Sequence, residues 1–439
     1  MKQAVYLLFV AFFLISVGEA NERHLSIQEA IEKALSNDVG QQIIHKEHEI
    51  SRSLSRQAAG DLWPDIKIES SFFVTDKKEE FSLTLPLSSE EMVISPEMDR
   101  LQRNSITLIQ PLFRGGTLLN KRNLYKANER AVKSRMEESK STLIMNVHEL
   151  YWGIVKLDYN AEVLNKTKEL ILSHKSDVES YFKQGQITRV ELLKVQERLS
   201  QIDLEIIENK NQRNKTALLL SDILGFDSDS LFYPVSSISE IQGALPAFEM
   251  CLQTALERSP ALEEARLLAE AAEYKAKMAK GAFSPTASLK ASYHYDKPNT
   301  ALQPLENDYQ GSWQAGVILS FDLLSGGKKI AHSAEASLSA DKSRLVLEKA
   351  RQSLERSLRA LFCEYDAKGQ ALTVGKRNEE EAEEKLRITR SLFNEGMAVN
   401  SDFLDAEAAY TEARIRVLNA EIDRELIRLR VLAVMGALR

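Results

Sequence analysis

The sequence predicts a mainly α-helical fold with a small β part, built from two tandem copies of one unit. Three observations support this prediction. The segments FKQGQITRVELLKVQE (182–197) and FNEGMAVNSDFLDAE (393–407) repeat one pattern of Phe, Gly, acidic and apolar residues. Long stretches contain almost no Pro or Gly, as long helices require. Four short stretches alternate apolar and polar residues, as strands do.

The composition narrows the class of protein. Of the 439 residues, 28% are charged and only 7% are aromatic, which favours long helices over a compact α/β enzyme. The net charge is −7 and no basic stretch stands out. The sequence therefore indicates no nucleic-acid partner.

Residues 1–20 are predicted to be a secretory signal peptide. Lys2 precedes an apolar run, and Gly18 and Ala20 occupy the small-residue positions of a cleavage site before Asn21. An uncleaved membrane anchor is the alternative, but the run is short for a membrane span. Beyond residue 20 no run of about 18 apolar residues occurs, so no membrane-spanning helix is expected there.

The two copies are predicted at 21–225 and 245–439, joined by a linker at 226–244. Their opening segments repeat at an offset of 221 residues, which relates Pro64 to Pro285. From the first Gly-Gly pair onward the offset is 211. It relates the following pairs: Gly115 and Gly326, Gly116 and Gly327, Gly185 and Gly396, and Gly225 and Gly436. Because the sequences diverge while the lengths agree, helix length itself is expected to be constrained.

Each copy is predicted to contain a very long helix, a turn and a shorter helix. The ranges are 117–183 and 188–224 in the first copy, and 328–394 and 399–436 in the second. A helix of 67 residues is about 100 Å long. Gly185 and Gly396 mark the turns, because Gly is the usual residue where a helix ends and the chain reverses. Apolar residues in the first long helix recur in a 4-3 pattern that predicts packing against neighbouring helices: Leu143, Val147, Leu150, Ile154, Leu157, Ala161 and Leu164.

The opening segments 26–59 and 247–280 are predicted to be single helices. Each opening helix is expected to stack end to end with the shorter helix of a copy. Together, these two helices would lie beside the long helix along its whole length.

Four strands are predicted at 66–75, 104–113, 286–295 and 312–321. Nine or ten alternating residues match a tilted strand that crosses a bilayer, although half-buried strands of soluble sheets alternate in the same way. The export signal and the long polar loops at 76–103 and 296–311 favour the membrane. Aromatic residues near the strand ends agree with this interpretation: Phe72, Phe73, Tyr293, Tyr295, Trp313 and Phe321.

Four strands are too few to close a barrel, and an open strand edge is not tolerated in hydrocarbon. Several chains would have to share one barrel. Two chains give eight strands, which fill their own lumen, whereas three give twelve and leave room for a channel. The strand–helix junctions of such a barrel are predicted at Pro64, Pro285, Gly115, Gly116, Gly326 and Gly327.

In this order and spacing the sequence resembles the TolC-like outer-membrane efflux proteins. The resemblance rests on the opening helices, the Pro before the first strand, QPLFRGG after the second, and G-x5-[DE] at both hairpin tips. It covers residues 21–439. It implies a homotrimer with a twelve-stranded barrel in the outer membrane and a twelve-helix barrel across the periplasm. The implied partners are outer-membrane lipid, a periplasmic adaptor protein and an inner-membrane pump of the RND, ABC or MFS type, with no cofactor.

The resemblance also implies a gate at the periplasmic hairpin tips. The family carries inward aspartates six and nine residues after the second tip glycine, which are Asp402 and Asp405 here. Three-fold repetition would stack them as carboxylate rings able to bind divalent cations. The alternative is that they are solvated acids favoured by the helix dipole.

The family often locks its tips with a Tyr, an Arg and an acid. Those positions hold Phe393, Ala398 and Glu191 here. Of these three residue types, only the acid is kept. Closure of the gate is therefore expected to rely more on side-chain packing than on hydrogen bonds.

Other potential sites are weak. His45 and His48 are interpreted as a surface pair rather than a metal site. Cys251 and Cys363 are expected to be buried, unpaired thiols. The sequence contains no nucleophile elbow and no phosphate-binding loop of the Walker type, so no enzymatic activity is predicted.

Two functions from different classes remain. The first is a passive exit duct of a tripartite efflux or type I secretion system, resident in the outer membrane with a large periplasmic part. The second is an exported coiled-coil structural or adhesion protein without a pore. Membrane fractionation and conductance in planar bilayers separate them.

Overall fold

The computed structural model describes residues 23–84, 91–95, 97–226, 232–236, 243–302 and 305–438. The predicted signal peptide lies outside the described residues, as does much of the predicted linker. The described residues are mainly helical with a minor β part, which confirms the predicted class at that level.

The described residues contain eight helices. In chain order they are α1 (Ile27–Asn37), α2 (Val39–Gly60), α3 (Thr117–Lys183), α4 (Arg189–Leu224), α5 (Phe248–Arg258), α6 (Pro260–Gly281), α7 (Lys328–Asn394) and α8 (Asn400–Val434). Helices α3 and α7 have 67 residues each. Their equal length is the structural counterpart of the constant offset in the sequence.

The expectation of single opening helices at 26–59 and 247–280 is wrong, because each segment forms two helices. Asp38 and Ser259 leave the helical region, with ψ of 123° and 120°. Ser259 precedes Pro260, whose ring disfavours the helical conformation at the residue before it. Asp38 turns the chain so that its carboxylate accepts a hydrogen bond at 2.8 Å from a backbone N–H in the first turn of α2.

The chain divides into two compact units. The helical unit comprises Met1–Ile43, Met136–Pro260 and Gln352–Arg439, and the sheet unit comprises Ile44–Arg135 and Ala261–Arg351. Each unit takes segments from both sequence copies, and α3 and α7 contribute to both units. The compact units therefore do not coincide with the two copies.

The core of the helical unit is built on the predicted heptad face of α3. Leu143, Val147, Ile154 and Leu164 are buried. Nearby Trp152 is completely buried and belongs to the same hydrophobic cluster. The heptad spacing thus does mark a packed face.

The described residues contain eight strands. They are β1 (Arg23–Leu25), β2 (Asp65–Lys78), β3 (Phe81–Thr84), β4 (Glu91–Ser95), β5 (Met98–Arg114), β6 (Phe232–Pro234), β7 (Thr286–Asp296) and β8 (Gln310–Ser320). β1, β3, β4 and β6 are not among the strands predicted from the sequence. β1 and β6 form a short parallel pair in the helical unit. The Tyr151 hydroxyl ties this pair to the core, since it donates to Leu25 O at 2.8 Å and accepts from Ser236 N at 3.0 Å.

β2, β5, β7 and β8 form the principal sheet, which is antiparallel and has the order β2-β5-β7-β8. These strands contain the predicted segments. The interpretation of 76–103 as a loop is wrong in part, because β2 and β5 extend into it and β3 pairs with β4 inside it. At the centre of the sheet, β5 from the first copy pairs with β7 from the second, with Ser105 opposite His294.

Candidate functional site

One face of the principal sheet carries large apolar side chains that remain exposed. The cross-strand register aligns them, with Tyr293 opposite Trp313 and Leu289 opposite Val317. Trp313 is 79% exposed. The exposed members of this apolar face are Ile66, Ile68, Phe72, Val74, Ile106, Leu289, Tyr293, Tyr295, Trp313, Val317 and Leu319. A contiguous exposed apolar surface marks contact with a membrane or another protein.

The opposite face of the sheet is mainly polar, although it also carries the exposed side chains of Phe73, Ile109 and Ile318. Its side chains include those of Lys67, Glu69, Ser71, Arg103, Ser105, Thr107, Lys290, Ser292, His294, Ser312 and Gln314. Asn299, in the connection after β7, is almost fully buried and donates to Gln310 O at 2.8 Å and to Ser312 Oγ at 3.0 Å. This anchors part of the connection beside a cleft on the polar face. The sheet therefore has one surface that is mainly apolar and one that is mainly polar.

Exposed aromatic residues lie at both ends of the strands. At one end are Phe72, Tyr293, Tyr295, Tyr309 and Trp313, and at the other are Trp63, Phe113, Phe283 and Phe321. The second group includes three residues that the sequence analysis did not single out. Two such bands flank the apolar zone of transmembrane β-sheets.

The predicted junction residues lie where the strands meet the helices. Pro64 and Pro285 are exposed and immediately precede β2 and β7. The two Gly-Gly pairs have positive φ, from 58° at Gly115 to 77° at Gly327. Positive φ is readily adopted only by Gly, so these turns explain the repeated glycines.

The two hairpin tips have the same backbone geometry. Gly185 and Gly396 have φ of 75° and 73°. Each donates to the carbonyl three residues earlier, at 2.9 and 3.0 Å. The next residue donates to the carbonyl five residues earlier in both cases, at 2.9 and 2.8 Å. This is the Schellman arrangement, which ends both long helices in the same way.

A polar and aromatic cluster joins the four helices that meet at these tips, and we call it the tip cluster. His174 of α3 lies against Phe393 of α7 and Phe403 of α8, with ring centroids 4.6 and 3.9 Å away. Its Nε2 is 2.7 Å from Oδ1 of Asn400. Asn400 Nδ2 donates to both the backbone O and the carboxylate Oε2 of Glu191 in α4, each at 3.1 Å.

The tip cluster brings together two of the predicted gate residues, Glu191 and Phe393. Only the acid of the family's lock is kept in this sequence, but Asn400, which the sequence analysis did not name, donates hydrogen bonds to it. Phe393 is buried, in line with closure by packing. Within the described residues the tips are thus held by hydrogen bonds as well as by aromatic packing.

Burial and hydrogen bonding shift the pKa values of several groups in the helical unit. Burial lowers the pKa of His174, against the opposing effect of its bond to Asn400. Hydrogen bonds from Lys194 and then Asn400 lower the pKa of Glu191. Nearer the start of α3, burial and the positive charge of nearby Arg428 lower the pKa of His148 to about 4. His174 and His148 are therefore neutral at pH 7, and Glu191 is ionised.

A buried ion pair crosses between α4 and α8, away from the turns. The Glu407 carboxylate is fully buried and accepts from Arg198 Nε at 2.9 Å. Thr411 Oγ1 also donates to it at 2.9 Å, and Thr167 of α3 lies 2.8 Å from Thr411. Sequence reasoning missed this network, because polar residues inside a long helix do not reveal which neighbour they meet.

Asp402 and Asp405 lie on the exposed side of α8. The intervening Phe403 is buried, so the two carboxylates point away from the tip cluster. In the described ranges no three His, Cys, Asp or Glu side chains come together as a metal-binding group.

Two other expectations have different outcomes. Cys251 is buried as predicted, but Cys363 is exposed, so the expectation of two buried thiols is wrong for Cys363. The reason is that Cys363 lies on the outward side of α7. His45 is exposed and His48 is half-buried on α2, which agrees with a surface pair.

A family profile described as "Outer membrane efflux protein" matches residues 46–226 and 251–437. The chain belongs to this family. The match includes the principal sheet, the four long helices and both tips. No curated protein sequence matches the chain.

Several solved structures share the fold of this chain. One of them is CusC, whose crystal structures are described in terms of conformational changes that accompany folding and transmembrane channel formation. CusC is 18% identical to this chain with a TM-score of 0.81, and the match covers 93% of this chain and 92% of CusC. VceC, an outer membrane protein of Vibrio cholerae, is 14% identical with a TM-score of 0.79, over 93% and 96%. CmeC, an outer membrane channel of Campylobacter jejuni, is 16% identical with a TM-score of 0.71, over 94% and 85%.

None of the helices in the described part of this efflux protein combines the length and apolar composition needed to cross a bilayer.

Proposed function

We propose that this efflux protein is one subunit of a homotrimeric channel-tunnel that gives exported molecules a passive exit across the periplasm and outer membrane. The observation that carries the proposal is the two-sided principal sheet. Its apolar face is exposed between two aromatic bands, and its other face is lined by charged and hydroxyl side chains. An apolar outside and a hydrophilic inside are the properties of a membrane-spanning barrel wall.

The number of strands supports a trimer. The principal sheet has four strands, and its outer strands β2 and β8 leave two open edges within the chain. Open edges are not tolerated in hydrocarbon, so subunits must join edge to edge. Three copies give twelve strands, enough to enclose a channel, whereas two copies give eight, which side chains fill.

The hairpin tips form the periplasmic gate in this proposal. The tip cluster holds the four helices together, and Asp402 and Asp405 remain exposed on α8, where three copies would place two carboxylate rings around a narrow pore. Such rings would favour cations and bind divalent ions. The tips would meet a periplasmic adaptor and an inner-membrane pump of the RND, ABC or MFS type, which supplies the energy for tripartite efflux or type I secretion. The protein itself would catalyse no reaction.

Membrane fractionation, native mass measurement and planar-bilayer recording together test the proposal. We expect the protein in the outer membrane fraction, a mass three times that of the chain, and stepwise conductance after reconstitution. A water-soluble monomer without conductance would contradict the proposal and favour a pore-free coiled-coil protein.

A further inference from the structure

The cleft on the polar face of the principal sheet has a volume of about 890 Å³. All four strands of the sheet line it, and the connection after β7 borders it through Thr300, Ala301 and Leu302. Pockets that bind small molecules usually have volumes of about 300–1,000 Å³. The cleft is therefore large enough for a small solute.

Asn299 fixes this connection against the sheet. The side chain is almost fully buried, and its Nδ2 donates to the backbone O of Gln310 and to Ser312 Oγ, both in β8. Its Oδ1 accepts from Ala301 N at 3.0 Å, which shapes the turn that follows. The border of the cleft is thus held in place by hydrogen bonds to the sheet.

Arg103 brings to the cleft a positive charge that the chain does not neutralise. The side chain is exposed on the polar face of β5 and lines the cleft. Within the described residues its guanidinium forms neither an ion pair nor a hydrogen bond. A guanidinium carries five N–H donors in a planar fork that fits a carboxylate or a phosphate. An oxyanion from outside the chain would therefore satisfy these donors.

The acidic side chains of the cleft, in contrast, already have partners. The Glu69 carboxylate accepts from Lys67 Nζ at 2.6 Å. The Asp296 carboxylate accepts from Asn104 N at 2.9 Å, and its side chain is only 14% exposed. Among the described residues that line the cleft, the charge left without a partner is that of Arg103. The cleft therefore favours an anion over a cation.

Hydroxyl and amide groups lie beside the guanidinium. Ser71 is directly opposite Arg103 in the β2–β5 register, and directly opposed residues have Cβ atoms about 4.5–5.5 Å apart. Ser105 follows on the same face of β5, and Ser312 and Gln314 of β8 line the cleft farther across the sheet. Hydroxyl and amide groups can both donate and accept hydrogen bonds. They complement the polar groups of a hydrophilic solute.

We propose that this cleft binds a small hydrophilic solute through a carboxylate or phosphate group, with Arg103 as the cation that recognises it. The guanidinium would donate charge-assisted hydrogen bonds to the oxyanion, and Ser71 and Ser105 would donate weaker ones. Binding to the cleft goes beyond the proposed channel. Within that channel the cleft would face the lumen at the strand ends away from the helices, and would hold anionic solutes near the exit.

Saturation-transfer NMR on the full-length protein in detergent tests the class of ligand with three matched sugars. Glucuronate, glucose and glucosamine share one ring and are negative, neutral and positive at a pH slightly below neutrality. We expect glucuronate to bind more tightly than the other two, and glucose 6-phosphate to compete with it. Equal binding of the three sugars, tighter binding of glucosamine, or no binding of glucuronate would overturn the proposal.

Substitution of Arg103 tests its role. Arg103→Gln should weaken glucuronate binding by about tenfold or more, because it removes the charged donor, and Arg103→Lys should restore part of the affinity. Lys290→Gln is the matched control, since it removes a positive charge from the same face of the sheet outside the cleft. Arg100→Gln removes one from the same strand, where Arg100 lies 3.7 Å from Asp99. Equal weakening by Arg103→Gln and Lys290→Gln would indicate diffuse attraction and would overturn the site.

Conductance and native mass measured on the same samples separate this proposal from the proposed function. A conducting trimer that does not bind glucuronate would overturn the binding site and leave the channel intact. Arg103-dependent binding by a protein that does not conduct would support the site and contradict the channel.

Discussion

Asn400→Ala is expected to loosen the periplasmic hairpin tips. The substitution removes the contact with His174 at 2.7 Å and two hydrogen bonds to Glu191, one of them to its carboxylate. A neutral hydrogen bond contributes about 1 kcal/mol and one to a charged group about 1.5–3 kcal/mol. Asn400 is only 1% exposed, so water replaces these bonds poorly. We expect a loss of about 3 kcal/mol in the local stability of the tips.

Hydrogen exchange followed by mass spectrometry measures this loss. A decrease of about 3 kcal/mol corresponds to roughly a 100-fold faster exchange of amides protected by local opening. The effect should be confined to peptides that cover Gly185 and Gly396. Ser401→Ala, one residue away, is the control and should change exchange little. Less than a threefold change in Asn400→Ala would refute the role assigned to the tip cluster.

Three further predictions concern the helical unit and the pore. Glu407→Gln should lower the free energy of unfolding by about 1.5 kcal/mol because it replaces the charged acceptor of Arg198 with a neutral amide while Glu205 still contacts Arg198, and an unchanged thermal transition would contradict this. The pKa of His148 is about 4 in the folded protein and about 6.5 in the unfolded chain. Because the unfolded chain takes up the proton first, the free energy of unfolding should fall by about 3 kcal/mol as the pH falls from 6.5 to 4. His148→Gln should flatten that dependence in denaturant titrations, and an unaltered slope would refute the assignment. Asp402→Asn with Asp405→Asn should lower cation selectivity and block by divalent ions in bilayer recordings, and unchanged reversal potentials would count against the carboxylate rings.

The sequence by itself determined the elements that depend on local pattern. The absence of Pro and of any Gly except Gly153 over 117–183 predicts α3, and a glycine that can adopt positive φ predicts each hairpin turn. Strict alternation predicts β7 and β8 to within two residues. These features are local because backbone conformation and side-chain periodicity are set within a few residues of the chain.

Only the tertiary structure decided which distant residues meet. Asn400 stands four residues after one tip glycine and Glu191 six after the other, and no spacing rule indicates that they are bonded. The contact between Gly115 and Gly281 and the pair of Arg198 and Glu407 likewise depend on helices brought side by side. Periodicity specifies that a helix face is buried but not what covers it, because hydrophobic packing is non-directional. Partner choice therefore follows from the assembled fold.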